Sequence, residues 1–395
     1  MKKILLLFLL FSLGTLHGLA QDFYFTASGI TWKCKVLTDG TVSICGASSP
    51  NREVQELIFP TSVTDRAENT YTVTDLNWQY GLDLDFSNLT KVVLPKSLIT
   101  LGGNTFSGCS KLATIENTEN IQSISSYAFS GCTSLAGITL PNCTSVGSYA
   151  FYGCTNLTAI ELPQCTSIDE SAFHWCSSLT TINIPKCITL GKYSFQGCPI
   201  QSATLPSSLT RLGAGCLDGY IYLTINATTP PAITELSADA SLFNGKCYVK
   251  VPDSSLDAYR AADGWKTIAK HIFSMSDETD YNVNVTAQEN TSGLSEAIGT
   301  ENLQKVLRLK VNGTINGYDI MILRNKMDNL HYLDLADAEI VDNDYEYYTG
   351  CSTRHNEIGD HTFDGLAKLF EITLPKDITY IGADAFQYCT GLTQV

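Results

Sequence analysis

A phenylalanine recurs at Phe106, Phe129, Phe151, Phe173 and Phe195, at spacings of 23, 22, 22 and 22 residues. Around it stand the related segments YAFSGCTSLAGITLPNCTSVGS from Tyr127, YAFYGCTNLTAIELPQCTSIDE from Tyr149 and SAFHWCSSLTTINIPKCITLGK from Ser171. A looser copy starts at Tyr193, and Leu217 takes the phenylalanine position in a degenerate fifth. Pro95, Pro141, Pro163, Pro185 and Pro206 mark one place in successive units, with Pro60 and Pro375 repeating the idea towards the ends. A fixed period in the twenties is the signature of stacked coils, each a unit that cannot bury its apolar side alone.

Leu135, Ile138 and Leu140, with Leu157, Ile160, Leu162 and Leu179, Ile182, Ile184, follow a leucine-rich-repeat spacing. Ile138 and Leu140 alternate around Thr139 as strand residues do, and the following proline ends the strand by removing a ladder donor. The expected fold is therefore a leucine-rich-repeat solenoid of short parallel strands joined by helical or 3-10 turns, with the phenylalanine ring filling the space between coils.

The unit A-F-x-G-C-x-x-L-x-x-I-x-L-P with its Ser-Ile-Gly-like closure resembles the BspA-type leucine-rich repeats of bacterial surface proteins. YVKVPDSSLDAYRAADGWKTI, from Tyr248, resembles the helix that closes such arrays in Bacteroidetes proteins. The resemblance covers residues 50–273 and 330–395. It implies a cell-surface protein that adheres to host matrix proteins or to other cells. The chain departs from the pattern where Trp175 replaces the glycine of F-x-G-C and where Leu217 replaces the phenylalanine.

Lys2 and Lys3 precede an apolar run over residues 4–13 and a small-residue stretch ending at Ala20, the pattern of a secretory leader cleaved after Ala20. The run is too short to span a bilayer, which takes about 20 apolar residues, so a secreted or outer-membrane-associated surface location is expected. Residues 21–50 read as an N-terminal β-hairpin cap, with Asp39-Gly40 as a two-residue turn. The array with its closing helix (253–271) takes 51–273, an α/β spacer takes 274–330, and a second array takes 331–395. The spacer shows helical spacing at 294–298 and 319–327 and strand spacing at 306–311 and 331–335. The second array stops within a coil, which reads as a truncation because terminal repeats carry a polar cap.

The net charge of −15 becomes −17 without the two leader lysines. An acidic chain with no basic stripe lacks the phosphate contacts that dominate nucleic-acid affinity, so nucleic acid is excluded as the main partner.

Eight of the fourteen cysteines form two columns, Cys109, Cys132, Cys154, Cys176 and Cys198 after the phenylalanine and Cys143, Cys165 and Cys187 after the proline. Both columns hold odd numbers and their side chains point one way, so they read as buried, unpaired thiols. Cys34 and Cys45 differ: a two-residue turn at Asp39-Gly40 would set them opposite each other, a candidate disulfide.

His174, His271, His331, His355 and His361 are scattered, and no catalytic or phosphate-binding motif occurs. No catalytic residue, metal site or cofactor is expected. The candidate contacts are surface ones. Thr139, Glu161, Asn183 and Thr204 form an outward column on the strand face. Tyr127, Tyr149 and Tyr193 form another, whose spacing equals the repeat and so fits packing between coils. Tyr152, His174 and Trp175 break the uniformity of their columns and read as specific contacts. The expected function is adhesion to an extracellular protein or glycan, with a glycan-binding accessory protein or a structural surface-layer component as alternatives.

Overall fold

The computed structural model describes residues 22–395 except 28, 78–82, 201, 219–221, 235–247 and 393–394. The expected leader and Cys247 lie outside the described residues. The chain forms two compact units, residues 1–274 and 275–395, each taken by itself below. Among the described residues, no helix is long and apolar enough to cross a membrane.

The first unit begins with three antiparallel strands, Asp22–Ala27, Ile30–Val36 and Val42–Glu53. The loop between the second and third strands is one residue longer than expected. Leu37 and Thr41 close it, with Gly40 at φ 80° supplying the left-handed end of a three-residue turn. Pairing is therefore Val36↔Val42 and Cys34↔Ile44, with a bulge between Lys33 and Cys34. Cys45 does not oppose Cys34, which corrects the disulfide expectation: both are free, their thiols donating to the Trp32 and Lys33 carbonyls.

Most coils then contribute two strands rather than the one expected. The continuous ladder runs through the Ser-Ile-Gly closure: Ser123–Ile124, Ser145–Val146, Ser167–Ile168, Thr189–Leu190 and Arg211–Gly213 pair in parallel and in register. One inward β-branched or leucine side chain per coil (Ile124, Val146, Ile168, Leu190, Leu212) suffices to anchor it.

The expected I-x-L strand forms in pieces. Lys91–Val93 lies between Glu56–Ile58 and Thr114–Glu116, and Ala159–Glu161 pairs with Thr181–Asn183. Around Ile138 there is no regular strand. Gly137 is a poor strand residue, and the Thr139 carbonyl accepts the Thr118 hydroxyl (2.5 Å). The strand face expected to carry Thr139 is interrupted at that coil.

The phenylalanines make the core. Phe106, Phe129, Phe151, Phe173 and Phe195 are fully buried and stack with ring centroids 5.1–5.7 Å apart. Trp32 of the cap starts this column by packing on Phe59 (5.1 Å), which meets Phe106 edge-on. The cysteine after each phenylalanine has a backbone task. Cys132, Cys154, Cys176 and Cys198 donate their thiols to the carbonyls of Phe106, Phe129, Phe151 and Phe173, one coil back, at 3.1–3.2 Å.

At the far end the closing segment is a helix in three pieces: a 3-10 turn Asp253–Ser255, an α-helix Leu256–Ala261 and a 3-10 stretch Lys266–His271. Neither Asp253 nor Ser254 caps it; the chain enters through Pro252 and Ser255 with no side-chain cap. Buried Tyr259 and Trp265 donate to the Ala227 and Pro231 carbonyls.

The second unit carries a four-stranded parallel sheet, Asp280–Val285, Arg308–Ile315, Tyr332–Ile340 and Glu371–Thr373. Helices Gly293–Ile298 and Gly317–Lys326 make the crossovers. The buried Asp319 carboxylate joins their starts, accepting from the Ser292 hydroxyl and the Leu294 and Asn316 amides. The stretch expected to separate two arrays is thus the first part of the sheet that the following repeats continue. A hairpin, Asn343–Tyr348 with Cys351–Thr353, leads into coils whose Phe363 and Phe386 rings stack at 5.5 Å.

Candidate functional site

The phenylalanine turn positions rings on both its sides. Its backbone repeats a left-handed residue two places before the phenylalanine, at Tyr127, Tyr149, Ser171 and Tyr193 with φ between 53° and 60°. A second left-handed residue stands two places after it. That place holds Gly108, Gly131, Gly153 and Gly197, but Trp175 in the fourth coil, at φ 61°. A left-handed conformation costs a residue with a Cβ roughly 1–2 kcal/mol. The ring gives no core burial in return, because Trp175 is 59% exposed. It leans over the next coil, where a Cβ on Gly197 would stand 2.5 Å from the Trp175 ring.

The neighbouring rings join it into one cluster. Tyr127 and Tyr149 stack face to face at 4.8 Å and 3°. Tyr149 meets Tyr152 at 5.8 Å, and Tyr152 meets Trp175 at 6.0 Å and His174 at 5.5 Å. His174 continues to Tyr193 at 6.3 Å, and Lys192 lies over the Tyr193 ring. Six rings from four coils are therefore in sequential contact along the outside of the turn. Tyr127 is 41% exposed, while Tyr149, Tyr152, His174 and Tyr193 are half-buried. Desolvation among these rings lowers the His174 pKa and favours the neutral imidazole. The Tyr149 hydroxyl donates to Glu170 at 3.3 Å, so the cluster has a polar rim.

Tyr152, His174 and Trp175 are thus brought together. The tyrosine column both packs between coils and reaches solvent, a combination that period alone did not separate. The signal for it was the tryptophan standing where the repeat needs glycine. Thr139, Glu161, Asn183 and Thr204 are all exposed, on a different side of the coils. Glu161 and Asn183 are register neighbours, and Thr204 follows in the strand Ser202–Leu205. His355 and His361 lie in the second unit, where His361 stacks on Tyr348 and contacts Asp364 (3.2 Å), while His355 contacts Glu339 (3.5 Å).

The family model of the BspA type leucine rich repeat region matches residues 84–188, 144–254 and 350–395, together more than half of the chain. The chain belongs to the BspA-type leucine-rich-repeat family. Among solved structures, this BspA-type chain is similar to a leucine-rich repeat protein from Bacteroides ovatus ATCC 8483. The two are 22% identical, with 95% of this chain and 93% of that one covered and a TM-score of 0.40. It is also similar to a leucine rich cell surface protein from Faecalibacterium prausnitzii A2-165, at 18% identity, with 95% and 94% covered and a TM-score of 0.47. No curated protein matches it. The family is one of repeat scaffolds that bind other proteins, and its pattern places glycine where this chain carries Trp175.

Proposed function

We propose that the mature chain is exported, resides at the cell surface and works as an adhesin, binding an extracellular protein through the ring cluster on the outside of its turns. The observation that carries this reading is Trp175, a bulky residue kept in a strained glycine position with its ring turned to solvent. Residues held in costly backbone conformations cluster at functional sites, and exposed tryptophan and tyrosine are the residue types that dominate protein contacts. The second unit supports the reading. Tyr388 occupies the same glycine position at φ 56° and is 69% exposed. A rigid stack presents such contacts repeatedly, and avidity at a surface multiplies weak ones.

The test is binding of purified residues 21–395 to immobilised matrix proteins. One variant carries Trp175→Gly with Tyr152→Ala; a second carries Thr139→Lys, Glu161→Lys and Asn183→Lys. Saturable binding lost in the first variant and retained in the second is expected. The reverse pattern would move the site to the strand face, and no binding by the parent chain would remove the adhesin reading.

A further inference from the structure

The outer face of the second unit's parallel sheet has a chemistry the ring cluster lacks. Two polar rows cross its strands in register. Asp280, Arg308, Tyr332 and Glu371 make one; Asn282, Lys310, Asp334 and Thr373 make the other. They line a depression of about 350 Å³, within the range of small-ligand sites. The apolar members of these strands, Leu309 and Leu333, are buried beneath the pleat.

The face is pre-ordered. The Arg308 guanidinium stacks over the Tyr332 ring at 4.4 Å, which fixes the plane of its donors. Asn312 donates to Asn282 across the strands at 2.8 Å. A bulge in Tyr332–Ile340 shifts the register so that Asp337, not Ala336, opposes Asn312. The Asp334 carboxylate holds that bulge by accepting the Ala336 amide at 2.9 Å. Bulges re-aim side chains beside functional sites, and this one brings Asp337 to Lys310 (2.9 Å) and Lys376 (2.7 Å).

These contacts narrow the ligand. The Lys310 ammonium is already shared between Asp334 and Asp337, so a charged partner would have to break pairs to bind. Arg308 stands in register between Asp280 and Tyr332, with Glu371 beyond, so an anion would meet carboxylates on both sides. A protein partner would need an apolar or aromatic anchor filling a desolvated pocket, and the apolar floor here is covered. What remains is a neutral ligand dense in hydroxyl groups, which exchanges hydrogen bonds with fixed amide, carboxylate and guanidinium planes without disturbing the ion pairs. We propose that this face is a saccharide-binding site that takes uncharged sugar units of a glycan. The site is independent of the ring cluster on the first unit.

The test is native gel electrophoresis of residues 21–395 through soluble starch, galactomannan, xyloglucan, mannan and neutral mucin-type O-glycans, with heparin as the anionic control. Retardation by at least one neutral glycan is expected, unchanged in high salt because no charge is neutralised. Arg308→Ala with Asn282→Ala should weaken it about tenfold or more. Thr373→Trp, which fills the depression at the cost of one hydroxyl of the second row, should do the same, and a parent-like melting curve shows that each variant folds. The Trp175→Gly, Tyr152→Ala chain should be retarded like the parent, which separates this site's failure from failure of the adhesin reading. Retardation by heparin alone, retardation by none of the glycans, or retardation that survives both face variants would overturn the proposal.

Discussion

The two sides of the phenylalanine turn obey opposite rules. On the inside, five phenylalanines stack without interruption and without exposure. On the outside, the ring column is broken by Ser171, extended sideways by Tyr152 and His174, and capped by Trp175 at a glycine position. The inside must repeat, because each ring is both knob and floor for the next. The outside is released from that demand, so its departures from the period are not explained by packing. In a solenoid, regularity reports the core and irregularity reports the contact surface.

That contrast can be broken by substitution. Phe151→Ala removes a ring stacked on both faces and should cost about 3–5 kcal/mol in chemical denaturation. Trp175→Gly should stay within about 1 kcal/mol of the parent, because relief of the left-handed strain offsets the lost contact with Tyr152. Equal losses at the two positions would show that the outer rings are packing residues too.

Between these extremes lies the cysteine column. Cys154→Ala removes the thiol donor from the buried Phe129 carbonyl, which keeps the Cys132 amide, and should cost about 1 kcal/mol. Burial pushes the Cys109, Cys154 and Cys187 thiols up to about 12. Native protein at neutral pH should therefore resist iodoacetamide at these positions, as read by peptide mass spectrometry, and lose that resistance on unfolding. Half-exposed Cys351 should react first.

The smallest effect lies off both columns and serves as the control. Lys376 and Lys310 hold the Asp337 carboxyl down at about 2. Its contribution to stability is present above the ordinary carboxylate value near 4 and is lost as pH falls through about 2. The pair is solvent-exposed, so Asp337→Asn should barely change stability at neutral pH and should slightly flatten its acid dependence.

Much of this was legible in the sequence. The 22-residue period specified stacked coils, the buried phenylalanines and the thiol columns, because each follows from one residue type recurring in one place. The second strand of each coil was less visible, since two residues such as Ser145 and Val146 carry no alternation to read. The hairpin register was misread by one residue: Asp39-Gly40 suits a two-residue loop and also a three-residue one, and only the pairing of Leu37 with Thr41 decides. The strand face is less continuous than its periodic column implies. Thr139, Glu161 and Asn183 sit where a periodic pattern puts them, but Gly137 interrupts the sheet beneath. At the site, Trp175 was legible as an exception. Its partners Tyr127, Tyr149 and Tyr193 were hidden by their own regularity, since the period placed them without saying which faces of their rings meet water.

The measurement closest to the central claim is fluorine NMR of the 5-fluorotryptophan-labelled chain during titration with the matrix protein it binds. Loss of one resonance in Trp175→Phe assigns that position. Trp32 and Trp265 are buried and serve as internal references. The account predicts that the Trp175 resonance shifts saturably while those of Trp32 and Trp265 stay in place. Saturable binding with the Trp175 resonance unmoved would contradict it.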